Sequence, residues 1–257
     1  MRDLHSYFPI LDEINRKAGD IIRRYYGTQL EIDLKADESP VTRADREVEL
    51  LLRDALEKHF PDHSIFGEEF GETRKPGAHR WIIDPIDGTK SFILNTPLFG
   101  TLLALERDGV PVLGSIYLPI QDRLMIGSAE TGTFIDGKPC SVSRTAQLKD
   151  ARLLLTGPTT LFEPEVNHPL LSLCKAAGLV RCFGDCYGYF MVACGVADVM
   201  IDPSGIQYYD IAPMLPIFAG AGGRFTSKTG QTDFHAGSGL ATNGLLHDEV
   251  LSVLNAC

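Results

Sequence analysis

Between Leu98 and Ile135 the chain runs through four apolar segments, Leu98–Glu106, Val110–Leu118, Arg123–Ser128 and Gly132–Ile135, with Asp-Gly pairs at 108–109 and 136–137. Asp-Gly next to such segments favours a tight hairpin, because both residues tolerate the left-handed backbone that the turn requires. The spacing predicts an antiparallel meander, and a sheet of this size must bury its apolar faces under other elements. One covering helix is legible ahead of it, where Leu4, Phe8, Leu11, Ile14, Ala18, Ile21, Ile22 and Tyr25 recur at helical spacing and Gly27 supplies a stop. A short alternating segment then passes through Ser39-Pro40 into a second helix near residues 43 to 59, ended by Pro61.

Beyond about residue 150 the rhythm changes to strand (Arg152–Thr156), helix (about 168–177), strand (180–183), helix (186–195), strand (Val199–Asp202), helix (about 209–220) and strand (Gly223–Thr226). The expected organisation is an α+β half over residues 1–145 and an α/β half over 146–257, joined as one compact unit. A hydrophobic content of 44% is ample for that core. No repeat or low-complexity tract interrupts it.

Thirty-four acidic against 24 basic side chains give a net charge of −10, which disfavours non-specific binding to nucleic acid or an anionic membrane. An anionic substrate would therefore need local help from metal ions or clustered N–H groups. No run approaches the roughly 20 apolar residues of a membrane span, and the N-terminus mixes charged with apolar residues, unlike a signal peptide. The expected compartment is the cytoplasm. The six cysteines (140, 174, 182, 186, 194 and 257) show no paired zinc spacing and are expected to be reduced and mostly buried.

The chemistry concentrates in WIIDPIDGTKSF, residues 81 to 92. Asp84 and Asp87 flank Pro85-Ile86 at the end of a buried apolar run, and two like charges so placed need a cation or a proton. Oxygen-only ligands suit Mg²⁺, and the turn could expose the Ile86 carbonyl as a further one. Gly88 and Thr89 would open a helix whose first N–H groups are free to hold a phosphate. Other acidic groups fall at similar boundaries: Glu68 and Glu69 after Ser64-Ile65-Phe66, Asp45 in SPVTRAD with Thr42, and Asp210 in YYDIAPMLPIFAGAGG. Each alone would serve equally well as a helix cap or a solvated loop.

Together, SPVTRAD, GEE, WIIDPIDGTKSF and YDIAP with GAGG resemble, in order and spacing, the inositol monophosphatase-like Mg²⁺-dependent phosphatases, which include fructose-1,6-bisphosphatases and nucleotide 3′-phosphatases. The resemblance covers nearly the whole chain and implies a layered α-β-α-β-α sandwich. It implies metal ligands Glu68, Asp84, the Ile86 carbonyl, Asp87 and Asp210, with two to three Mg²⁺ per site. Asp45 and Thr89 would orient or deprotonate the attacking water, Glu68 would position it, and Asp87, Gly88, Thr89 and Asp210 would face the phosphate. The first half then carries most ligands; the second carries Asp210 and the specificity residues. A homodimer and inhibition by lithium follow from family habit.

Two departures bear on the substrate. Where inositol phosphatases carry a Glu and then a Trp before the last Asp, this chain has Pro203 and Tyr209, with Asp202 one residue from the expected Glu. The segments CFGDCYGYFMVACGVADVMID and DGTKSF look most like the histidinol-phosphate phosphatases of the family. That likeness implies L-histidinol phosphate as substrate, in histidine biosynthesis, with Asp185 meeting its cationic end. Arg181 could approach the phosphate or decorate a strand, and His63 and His79 are expected at the surface. Two other readings stay open: an inositol phosphate or other sugar phosphate as substrate, and an interaction partner of the transcription machinery, as some relatives are. The intact acidic set weighs against a role without catalysis.

Overall fold

The structure, a computed structural model, describes residues 3–29, 32–34, 40–157, 164–232 and 237–256. A 3₁₀ turn, Leu4–Tyr7, leads into α1 (Phe8–Tyr25), with Pro9 in its first turn where its missing N–H costs nothing. Gly27, at φ 77°, closes the helix as the sequence predicts. The short strands β1 (Ile32–Leu34) and β2 (Pro40–Thr42) pair antiparallel, and α2 (Arg43–His59) follows with the predicted boundaries.

Next come β3 (Ser64–Gly67), β4 (Gly71–Thr73), β5 (His79–Asp87), the short helix α3 (Thr89–Ile93), then β6 (Gly100–Arg107), β7 (Val110–Leu118), β8 (Arg123–Ser128), β9 (Gly132–Ile135) and β10 (Lys138–Cys140). They form an eight-stranded sheet in the order β10-β9-β8-β7-β6-β5-β3-β4, in which only β3 and β5 run parallel. The predicted meander is β6 to β9. The Asp-Gly turns that join β6 to β7 and β9 to β10 have both residues at positive φ (Asp108 53°, Gly109 77°; Asp136 50°, Gly137 75°), the backbone that matches strand twist.

The second half supplies β11 (Arg152–Leu155), α4 (Pro164–Ala176), β12 (Leu179–Arg181), α5 (Asp185–Ala193), β13 (Val199–Asp202), α6 (Tyr208–Ile211), α7 (Met214–Ala221), β14 (Arg224–Thr226), β15 (Gly239–Thr242) and α8 (His247–Leu254). Its five-stranded mixed sheet runs β12-β11-β13-β15-β14. The single helix expected over about 209–220 is two, α6 and α7, broken at Ala212-Pro213. Pro213 has no N–H to continue the ladder. β15 and α8, four and eight residues long, lie beyond the strands and helices that the sequence rhythm predicts.

Strand alternation sorts the side chains into layers. Leu103, Leu105, Trp81 and Ile83 face α1 and α2, while Leu102, Ile116 and Met125 face α5 and α7 from the other side of the same sheet. In the second sheet Leu154, Met200 and Ala241 face that middle helical layer, and Leu153, Leu155, Val199, Ile201 and Leu240 face α4 and α8. The architecture is therefore the α-β-α-β-α sandwich.

Two smaller expectations are corrected, for the cysteines and for the two histidines, and the second of the two readings of Arg181 is the one observed. Of the five described cysteines, all free, only Cys186 is buried; Cys182 is exposed, and Cys140, Cys174 and Cys194 are half-buried, packed against the rims of the cores. Cys257 lies outside the described residues. His63 and His79 are half-buried, not at the surface: their rings stack at 4.7 Å, and His63 also stacks on Phe60 and Trp81. Arg181 sits on the edge strand β12, exposed, donating to the Val180 carbonyl at 2.7 Å.

Candidate active site

Sheet register assembles the first carboxylates. Gly67 of β3 pairs with Ile83 of β5, so Glu68, whose N–H donates to the Ile83 carbonyl at 3.1 Å, emerges beside Asp84. Asp84 and Asp87 are three apart, and in a regular strand they would point to opposite faces. Here the β5–β6 register shifts between them: Asp84 opposes Leu102 while Asp87 opposes Gly100. The bulge re-aims the strand end at Pro85-Ile86, and Thr101 secures it by donating to the Pro85 carbonyl at 2.9 Å. Asp210 arrives from the other half on α6, where one of its oxygens accepts the Gln207 N–H at 2.6 Å. As a result Asp84, Asp87 and Asp210 each bring an oxygen within 4.8 Å of the others.

Gly88 turns the chain out of β5 at φ 87°, in the left-handed region. A Cβ there would lie 3.1 Å from the Leu98 carbonyl and 3.2 Å from an Asp185 oxygen, so Asp185 stands directly against the Gly-Thr turn. Asp185 itself has φ 54°, an uncommon conformation outside glycine, at the first position of α5. The next N–H, of Cys186, donates to Asp87 at 2.5 Å and ties α5 to the end of β5. Thr89 donates to the Ile86 carbonyl at 3.1 Å and approaches Asp45 at 3.5 Å. Asp45, buried at the start of α2, accepts from the Thr42 N–H at 2.8 Å and hydroxyl at 2.6 Å in a reciprocal capping box, leaving its other oxygen toward Thr89.

The electrostatics are those of crowded carboxylates, Asp84 buried and Asp87, Asp185 and Asp210 half-buried. Burial, then the charges of Glu68, Asp87 and Asp210, hold Asp84 well above the usual carboxylate range, and its buried Oδ1 has no hydrogen-bond donor. Burial with the Asp185 and Asp210 charges raises Asp87 likewise. Burial pushes Asp210 up to about 7 and Asp185 up to about 6, the latter relieved by Lys90. Asp202 is also buried, pushed up to about 8 by burial, and accepts the Tyr189 hydroxyl at 2.5 Å. Like charges gathered out of water with an oxygen left unpaired fit a divalent cation with hard oxygen ligands.

Of the predicted site residues, Asp84, Asp87 and Asp210 form the close group, and Glu68 lies near enough for its charge to act on Asp45, Asp84 and Asp210. Asp45, Thr89 and Asp185 adjoin the Gly88 turn, and the Ile86 carbonyl already accepts the Thr89 hydroxyl. What the sequence reading missed is the support. Glu49, fully buried in α2, accepts from Arg53 at 2.7 Å and from the N–H groups of Glu69 and Phe70 at 2.7 and 3.2 Å, fixing the turn that presents Glu68. Gly67 has no room for a Cβ, since Glu49 lies in its place. A Glu in the buried stripe of α2 with Arg four residues on was the available signal.

The chain belongs to the inositol monophosphatase family, whose model matches residues 3–257, and it is a phosphatase enzyme of that metal-dependent family. It is 40% identical to a histidinol-phosphatase of Chlorobaculum parvum over 90% of this chain and 89% of that one, and 39% identical to a histidinol-phosphatase of Mycobacterium tuberculosis over 93% and 94%. Among solved structures it is similar to an inositol monophosphatase from Zymomonas mobilis (TM-score 0.86, 34% identity, 99% of this chain and 100% of that one) and to extragenic suppressor protein suhB from Bartonella henselae (0.91, 28%, 97% and 98%).

One consequence concerns stability. Asp210 and Asp185 have folded values raised above the usual 3.8, so their stabilising contribution is fully present below about pH 4 and is lost as pH rises through about 6 to 7. The metal-free protein is therefore expected to lose thermal stability from about pH 4 to about pH 7, and a saturating divalent cation such as Mg²⁺ to restore more at the upper end, where the carboxylates are charged. Melting curves with Mg²⁺ and with chelator check this; a Mg²⁺ effect independent of pH contradicts it.

Proposed function

We propose that the chain is a Mg²⁺-dependent phosphomonoesterase that hydrolyses L-histidinol phosphate to L-histidinol and phosphate, in histidine biosynthesis. The observation that carries the reaction is the meeting of three carboxylates from both halves within 4.8 Å, Asp84 buried and Asp87 and Asp210 half-buried, beside the Gly88-Thr89 turn. Glu68, Asp84, the Ile86 carbonyl, Asp87 and Asp210 would hold two to three Mg²⁺. Bound there, the metal supplies Lewis-acid stabilisation of phosphate and leaving-group charge and lowers the pKa of a water.

In this reading the N–H groups of Gly88 and Thr89 point at the phosphate and fix its orientation. Thr89 passes a proton from the attacking water toward the free oxygen of Asp45, whose raised carboxyl is held in register by the Thr42 box. Glu68 positions that water, and the Glu49 clasp keeps Glu68 in place. The leaving alcohol carries an ammonium and an imidazole, and Asp185, half-buried beside the turn, faces that cationic end.

The substrate is supported by that carboxylate and by relatives named histidinol-phosphatase at 34–40% identity, against 27–34% for the relatives and the Zymomonas mobilis structure named inositol monophosphatase. A sugar phosphate is the second reading, favoured by the inositol monophosphatase from Zymomonas mobilis. The proposal includes a homodimer in the cytoplasm, without nucleic acid; no described helix is long and apolar enough to cross a membrane.

Asp185→Asn tests the substrate. It is expected to lower kcat/KM for L-histidinol phosphate by about 10- to 100-fold, the worth of one buried charge-assisted contact, and to leave an uncharged phosphomonoester nearly unaffected. Equal losses on both esters would assign Asp185 to the phosphate turn and remove it from recognition.

A further inference from the structure

On one face of β5 stand Arg80, Ile82 and Asp84, in that order, and on the same face of β6 stand Glu106, Ala104 and Leu102 opposite them. Glu106 is 1% exposed, yet it accepts from Arg80 Nε at 2.5 Å and Nη2 at 3.1 Å, and also from the Tyr208 hydroxyl. Ile82 and Ala104 pack with Ala212 beneath Tyr208 and Tyr209. The Arg80 guanidinium lies 5.8 Å from the Phe66 ring and 5.9 Å from the Tyr208 ring, and it reaches Glu72 at 3.1 Å.

A bidentate arginine already compensates the burial of Glu106, so the tyrosine hydroxyl is an added restraint. It acts on α6, a helix of four residues, too short to hold its own orientation. Asp210, two residues after Tyr208, has one oxygen bound to its own helix cap, so its other oxygen can only be placed by placing the helix. We propose that Glu106, through Tyr208, is a positioning residue that sets where Asp210 stands relative to Asp84 and thereby the metal affinity of the site. The inference rests on reading Asp84 and Asp210 as metal ligands.

The test is Mg²⁺ binding to the purified full chain by calorimetry, for the wild type, Tyr208→Phe and Glu106→Gln. The control is Tyr25→Phe, which removes a comparable hydroxyl bond, to Glu47 at 2.7 Å, between α1 and α2. Both site variants are expected to weaken the Mg²⁺ Kd by about tenfold, as outer partners of metal ligands do, with KM at saturating Mg²⁺ unchanged and the control unaffected. A lowered melting temperature with unchanged Mg²⁺ affinity would make the clasp structural and overturn the inference alone. A wild type that does not bind Mg²⁺ would overturn the metal reading and the inference with it.

Discussion

Asp84→Asn is expected to cut kcat for phosphate release by at least about a hundredfold while raising the melting temperature of the metal-free protein. The activity loss has a floor because even the outer partners of a metal ligand are worth about 10- to 100-fold, and Asp84 sits at the centre of the cluster. The stability gain follows from the same burial. Without metal, a carboxyl crowded by Glu68, Asp87 and Asp210 is a source of repulsion, and a neutral amide of the same shape relieves it by about 1–2 kcal/mol. In a chain of 257 residues that corresponds to about 2–4 °C for each kcal/mol. Loss of both activity and stability would show that Asp84 holds the strand end together; retained activity would remove it from the site.

Asp45→Asn separates proton transfer from metal binding. Asparagine keeps an oxygen for the Thr42 N–H, so the α2 cap survives, but it cannot take a proton relayed through Thr89. The expected result is a fall in kcat of about 10²- to 10⁴-fold, with Mg²⁺ affinity and KM near those of the wild type. Pre-steady-state and calorimetric measurements together check it. A kcat within a few-fold of the wild type would leave Asp45 as a helix cap only.

These variants act on residues legible in the chain, and the reason is local. Asp-Gly at 108–109 and 136–137 favours positive φ, so the β6–β7 and β9–β10 hairpins follow from two dipeptides. The bounds of α2 follow from Thr42 and Asp45 at one end and Pro61 beyond the other. Asp84 and Asp87 were visible as an interrupted apolar run. That they share a face was not, since it depends on a bulge against β6. The contact of Glu49 with the Glu69 N–H, that of Glu106 with Tyr208 and that of the Cys186 N–H with Asp87 remained hidden because these partners lie 20 to 102 residues apart, and only the assembled layers bring them together. The division of the 209–220 helix shows the converse: an apolar run suggested one helix, and Pro213 inside it carried the better information.

The most direct measurement is phosphate release from L-histidinol phosphate and myo-inositol 1-phosphate side by side, with Mg²⁺ and with chelator. The expected result is Mg²⁺-dependent release with kcat/KM favouring histidinol phosphate by about a hundredfold or more, equivalent to about 2.7 kcal/mol of transition-state discrimination. Equal rates, or a preference for the inositol ester, would contradict the substrate; release undiminished by chelator would contradict the metal-dependent mechanism.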